Sequence, residues 1–173
     1  MAAIVAGFAL KKQGGKLAHL NVRTEKHGEE DVLAVDVKII SDVPNTFLDQ
    51  LSPGLRAALY AKEGEVSGTT ADIEEDHLAV LRFPGLGPLK WSANLVAAKF
   101  TVHGAKKADD QDFEADVGDL KLECKEGGTV ELTFQGSVLP TPAQCGHLTE
   151  LLGAKVKVSV EPVQQPDLPP LEG

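Results

Sequence analysis

Cysteine and aromatic residues are scarce in this chain of 173 residues. The two cysteines, Cys124 and Cys145, provide neither a disulfide framework nor a Cys-x-x-Cys metal-binding pair. We interpret both as small buried thiols of a cytoplasmic protein. Aromatic residues make up 5% of the chain, with a single Trp and a single Tyr. This is few for a protein that binds single strands by stacking bases on aromatic rings.

Long hydrophobic runs are lacking as well. No apolar stretch approaches the roughly 20 residues that a helix needs to cross a bilayer. The segment 1–12, MAAIVAGFALKK, starts with apolar residues but has no positive charge before them. We therefore predict a first strand over residues 4–10 and not a signal peptide.

The motifs of common catalytic sites are missing, among them G-x-x-x-x-G-K-[ST], G-x-S-x-G and H-E-x-x-H. The histidines lie far apart, without a second ligand at metal spacing; they are His19, His27, His77, His103 and His147. The acidic run 109–116 has Ala115 where a calcium loop requires glycine, which favours a solvated acidic loop. We expect no enzymatic activity, no metal and no cofactor.

The main pattern in the sequence is the alternation of apolar and polar residues. Val130, Leu132 and Phe134 alternate with polar side chains, as in a strand that buries one face. The glycine pair 14–15 is read as the turn that ends the first strand, and the pair 127–128 as a hairpin turn. The same two-residue period predicts further strands over 16–24, 31–40, 77–83, 89–91, 95–103, 120–124 and 156–160.

Helical spacing of apolar residues occurs within 44–61 and again within 143–152. Together these patterns predict an α+β fold: a β-rich single domain of antiparallel strands with two short helical segments. Whether the strands form a closed barrel or an open sandwich stays undecided. The domain is predicted to span residues 1–160, and residues 161–173 form a proline-rich acidic tail.

Charge is distributed in blocks along a chain of net charge −9. Residues 1–28 hold five basic residues and one acidic residue, and residues 81–107 hold five basic residues and no acidic one. The intervening residues 29–80 hold twelve acidic residues. An acidic protein with two basic segments can present a local positive patch if the segments meet in the fold.

Basic and aromatic residues interleave in the second basic segment, to which Lys16 and Arg23 of the first could be adjacent, and this pattern suits a phosphate backbone and stacked bases. The candidate nucleic-acid-binding residues are Lys16, Arg23, Arg82, Lys90, Trp91 and Lys99. The competing interpretation is that the aromatic residues on these strands pack in the core.

Three stretches together resemble a family of uncharacterised proteins of temperate tailed bacteriophages. They are AHLNVRTEKHGEEDVLAVDVKI (18–39), DVPNTFLDQLSPGLRAALY (42–60) and EGGTVELTFQGSVLPTPAQCGHLTELLGAKVKVSVEPV (126–163). The resemblance implies a phage protein that acts in the bacterial cytoplasm alongside replication or recombination functions, and it supplies no catalytic residues. Phage single-stranded-DNA-binding proteins are similarly small and acidic, but their usual acidic Pro-Phe ending is absent from PDLPPLEG.

Two functions of different classes follow from these observations. The first is a non-enzymatic module that binds single-stranded nucleic acid through the two basic segments. The alternative is a protein–protein interaction or anti-defence factor whose acidic surface binds a host or phage protein. A homo-oligomer is compatible with both, and neither involves a membrane.

Overall fold

Six antiparallel strands close into a barrel in the computed structural model of the chain, which describes residues 8–62 and 78–163. β1 pairs with β2 and β9, β2 with β8, β8 with β7, β7 with β6, and β6 with β9. Every barrel strand therefore has two neighbours. The strands are β1 Leu10–His27, β2 Glu30–Pro44, β3 Tyr60–Lys62, β4 Leu78–Leu81, β5 Leu89–Trp91, β6 Leu95–His103, β7 Gln111–Cys124, β8 Thr129–Val138 and β9 Lys155–Glu161.

Three of these strands lie outside the ring or at its margin. β5 pairs with Leu120, Lys121 and Leu122 of β7, on the edge of β7 that β6 occupies further along and opposite the edge that pairs with β8. The pairing of β7 with β8 shifts register between Gly118 and Lys121, where Asp119 has a φ of 54°. β3 and β4 form a separate two-stranded sheet. The prediction of a β-rich antiparallel fold with short helices is confirmed, and the strands form a barrel.

The barrel interior is filled by the apolar half of each alternating strand. Phe134 of β8 and Phe100 of β6 are fully buried, and their rings meet edge to face at 6.4 Å. Val37 and Ile39 of β2 and Val158 of β9 are also fully buried. Burial of each such side chain contributes about 1.5–3 kcal/mol, and the two-residue period leaves the alternate positions on the outer wall.

Short helices occupy both predicted regions. A 3-10 turn, Asn45–Phe47, leads into α1 (Leu48–Leu51) and α2 (Leu55–Leu59), and α3 spans Pro142–Glu150. Thr141 caps α3 through a capping box with Gln144, with Pro142 at the first turn. The fully buried Leu148 packs α3 against the core. A further 3-10 turn covers Lys107–Asp109. Within the described ranges, no helix is long and apolar enough to span a bilayer.

Two local predictions are wrong. β1 continues through Gly14 and Gly15, which were expected to form a turn, because both glycines pair with β9 and Gly15 passes close to β2. The acidic run 109–116 is not a solvated loop from end to end: β7 begins at Gln111. Phe113 and Ala115 are buried, while the acids that alternate with them, Asp112, Glu114 and Asp116, are exposed. The first predicted strand falls largely on residues 1–7, and the tail largely on 164–173, outside the described residues.

Candidate nucleic-acid interface

A row of directly opposed residues crosses five neighbouring strands on the outer wall of the barrel. Lys90 of β5 faces Lys121 of β7, which faces Thr133 of β8. Thr133 faces Ile40 of β2, which faces Lys16 of β1. Directly opposed residues in antiparallel strands project from the same face of a sheet. Lys16, Lys90 and Lys121 are all exposed, so three ammonium groups lie along one line across the strands.

A second row lies two residues further along the strands. His19 of β1 faces Lys38 of β2, and Lys38 faces Gln135 of β8. His19 and Lys38 are exposed. We call the cationic band the surface formed by these two rows, with its basic residues Lys16, Lys38, Lys90 and Lys121. Among the described residues, none of these four lysines forms an ion pair with an acidic side chain.

Rows of acidic residues border the cationic band on both sides. Asp42 of β2 faces Glu131 of β8, which faces Glu123 of β7. On the opposite side Asp36 of β2 faces Ser137 of β8, which faces Asp116 of β7. Asp36 is paired with Arg23 and Glu131 with Lys125, so the flanking negative charge comes chiefly from Asp42, Glu123 and Asp116. A flexible polyanion would follow the strip of lysines, perpendicular to the strands, because these carboxylates repel phosphates.

The β5 end of the cationic band carries the tryptophan. Trp91 is half-buried and packs against the core. It also lines a cleft of about 440 Å³ together with Lys38, Lys90, Lys121 and Gln135. Trp91 is directly opposed to the buried Leu120, so its indole projects from the opposite face of β5 to Lys90, and only its exposed part can reach the cleft. Asp119 lines the same cleft, so its positive charge is partly offset.

The opposite end of the cationic band leads to a second and larger cavity. Lys16 faces Lys155 of β9, and both line a cavity of about 1030 Å³. Lys157, His103 and His147 also line it, opposite Asp42, Asp109 and Glu131. Glu131 accepts a hydrogen bond from Lys125 Nζ at 3.1 Å. Basic and acidic groups are balanced here, so this cavity has less anion-binding character than the Trp91 cleft.

The structure brings together three of the six residues predicted from the sequence. Lys16, Lys90 and Trp91 lie on or beside the cationic band. Arg23 does not belong to it: its guanidinium bonds Asp36 at 3.1 Å and also pairs with Glu25. These hydrogen bonds, chiefly the one to Asp36, raise the pKa of Arg23, and they hold the pKa of Asp36 below its usual value. An arginine paired in this way is less available to a phosphate.

The other two predicted residues lie elsewhere. Arg82 Nε donates to the carbonyl oxygens of Ala57 (2.8 Å) and Tyr60 (3.1 Å), a contact that ties the chain after β4 to α2 and β3. Lys99 is exposed on β6, directly opposed to Glu114 of β7 and Glu161 of β9. Neither side chain adds to the cationic band.

Sequence reasoning missed Lys38, Lys121 and Lys155. Each stands at an outward position of an alternating strand, and that signal is present in the sequence as Val-Lys-Ile, Leu-Lys-Leu and Ala-Lys-Val. Lys38 and Lys121 lie in segments with an acidic net charge, so a search by charge blocks passes over them. Only the register of β2, β7 and β8 shows that they join Lys90 and Lys16. Comparison of the chain with protein-family models, curated proteins and solved structures gives no match.

Proposed function

We propose that this protein is a binding module that holds single-stranded nucleic acid along the cationic band. The observation that supports it best is the row Lys90–Lys121–Thr133–Ile40–Lys16, in which three lysines without an ion pair to any described acidic side chain are aligned across five strands. With strands about 4.8 Å apart, the row is roughly 20 Å long, enough for several backbone phosphates. The resemblance to phage proteins favours a role in phage replication or recombination in the bacterial cytoplasm.

Single-stranded nucleic acid suits this surface better than a duplex. The band is narrow, because acidic rows lie one outward position beyond it on each side. A flexible single strand can follow the curved barrel wall and turn a base towards the indole of Trp91. A rigid duplex would bring its second phosphate backbone over Asp42, Glu131 and Glu123. Electrostatic repulsion there would weaken duplex binding.

Titration of the protein with oligo-dT at low salt tests this function through the fluorescence of Trp91, the single tryptophan of the chain. Binding is expected to quench Trp91 emission, because a base stacked at the cleft contacts the indole. The double variant Lys38→Gln/Lys121→Gln is expected to bind at least tenfold more weakly, on the basis of about 1 kcal/mol for each lost phosphate contact. Lys99→Gln is the matched control, since it removes an exposed strand lysine outside the band. Unchanged emission of the wild-type protein at saturating oligo-dT would rule the proposal out.

A protein partner is the second candidate function. Phe83 and Leu86 are 60% and 47% exposed in the turn after β4, where Leu86 N–H donates to Phe83 O at 3.1 Å. Two large apolar side chains on one ordered turn are typical of an interaction surface, and acidic rows lie elsewhere on the barrel. The wild-type protein, used as bait in a nuclease-treated lysate of phage-infected cells, should capture a partner. The double variant Phe83→Ser/Leu86→Ser should not capture it. Equal capture by this variant would place the interface elsewhere.

A further inference from the structure

Three side chains from separate elements form a hydrogen-bonded chain on the outside of the barrel. Ser159 Oγ of β9 lies 2.6 Å from Nε2 of His103 at the end of β6. His103 Nδ1 lies 3.1 Å from Oδ2 of Asp110, the residue before β7. Serine, histidine and aspartate in this order and at these distances are the groups that activate a hydroxyl for nucleophilic attack. The sequence conceals the set, because 56 residues separate Ser159 from His103.

Backbone groups orient both ends of this chain. Lys12 N–H donates to Ser159 Oγ at 2.9 Å, in a bulge of β1 where Lys12 has a φ of 45°. The serine hydroxyl already accepts this bond, so its own hydrogen is directed to His103 Nε2. Gly104 N–H donates to Asp110 Oδ1 at 3.0 Å. This bond, with a smaller contribution from His103, holds the pKa of Asp110 below its usual value. The ionised carboxylate then accepts Nδ1–H, and Nε2 is left unprotonated as the acceptor.

We propose that Ser159 is an activated nucleophile for small activated acyl esters, with His103 as its general base and Asp110 as a positioning residue. Ser159 Oγ bonds to the acyl carbon while His103 Nε2 takes the hydroxyl proton. The bond from carbon to the leaving oxygen then breaks, and the proton passes to the departing alkoxide as an alcohol. Water releases the acyl group by the same route: Nε2 takes a proton from water, and Ser159 Oγ leaves with that proton as the carboxylic acid forms.

The surroundings of Ser159 define the class of ester. Ser159 is 8% exposed, so only a small acyl group can reach Oγ. Lys12 N–H donates to Oγ itself, so it is a backbone donor adjacent to the point of attack. His103 also lines the cavity of about 1030 Å³ together with the apolar side chains of Ile40 and Val102. This cavity offers an apolar path for a leaving group on the histidine side of the serine.

Covalent labelling by a small fluorophosphonate tests the proposal without knowledge of the natural ester. Reaction forms a bond from Ser159 Oγ to phosphorus, expels fluoride and transfers the hydroxyl proton to His103. Intact-mass measurement and peptide mapping of the folded wild-type protein should show one adduct, at Ser159. His103→Gln should lower the labelling rate at least a hundredfold, the usual range for loss of a general base. Asp110→Asn should lower it at least tenfold, and Asp110→Glu should restore part of the rate.

Ser137 is the matched control serine. Its hydroxyl donates to Asp36 Oδ1 at 2.7 Å and bonds no histidine among the residues that the structure describes, so no adduct is expected there. Circular dichroism of each variant shows whether a lost adduct reflects unfolding. An unlabelled wild-type protein, labelling of Ser137 at the same rate, or an unchanged rate in folded His103→Gln would overturn the proposal. Labelling of Ser159 with no effect on oligo-dT binding would support two separate sites.

Discussion

Gly15 shows how one missing side chain lets β1 approach β2. A Cβ at this position would lie 2.9 Å from Ile40 O and 3.2 Å from two side-chain carbons of β2. Gly15→Ala should therefore lower the free energy of unfolding by about 1–3 kcal/mol, since the backbone oxygen must shift. Gly14→Ala is the matched control, because a Cβ there would have no described atom within 4 Å. Urea denaturation of both variants measures the difference, and equal stabilities would contradict the close approach.

The carboxyl group of Asp36 makes the stability of the folded protein depend on pH. Its carboxylate accepts hydrogen bonds from Arg23, Ser137 and Asn21, and the first of these lowers its pKa most. A carboxyl whose pKa is depressed by folding stabilises the protein above its unfolded pKa of about 3.9, and this stability is lost as the pH falls through the lower folded value. The stability gap between wild type and Asp36→Asn should be widest near pH 7 and shrink below about pH 4. Thermal melts across this range test the sign, and a gap that widens in acid would contradict it.

At the scale of elements, the helix α3, which lies between β8 and β9 in the chain, is stabilised by its N-cap. Thr141 Oγ1 accepts a hydrogen bond from Gln144 N at 3.2 Å, and Thr141 N donates to Gln144 Oε1 at 2.9 Å. Loss of an N-cap costs about 1 kcal/mol, and α3 holds the buried Leu148 in place. Thr141→Ala should lower stability by that amount. Thr149→Ala should change it far less, because the Thr149 hydroxyl only bonds Cys145 O of the preceding turn. Chemical denaturation of the two variants compares them directly.

The individual strands and helices could be predicted from the sequence better than the pairing of the strands. The second half of the strand Leu95–His103 and the core of Thr129–Val138 follow from alternation, and the helix near residue 147 follows from its proline and apolar spacing. The two-residue period shows which residues share a face within one strand. It carries no information on which strands are neighbours in the sheet. The sequence therefore could not predict that Lys121 and Lys90 lie side by side. Gly14–Gly15 has the composition of a turn, yet contacts with β2 and β9 keep it extended.

At the scale of the whole molecule, the barrel converts scattered lysines into one linear array on an acidic protein. The net charge of −9 opposes long-range attraction of a polyanion, so the proposed binding would depend on close contacts within the cationic band. The band unites residues distant in sequence because β5, β7, β8, β2 and β1 are adjacent around the wall. Binding is therefore expected to depend on the position of individual lysines and not on total charge.

The salt dependence of oligo-dT binding tests this account most directly. With contacts from the four lysines of the band, the plot of log K against log salt concentration should have a slope of about −3, from roughly −0.7 per phosphate contact on single strands. Lys38→Gln/Lys121→Gln should flatten this slope by about 1.4, while Lys26→Gln/Lys99→Gln, with the same change in net charge outside the band, should leave it unchanged. Equal slopes for the two double variants would contradict the account, because binding would then follow net charge and not the aligned row.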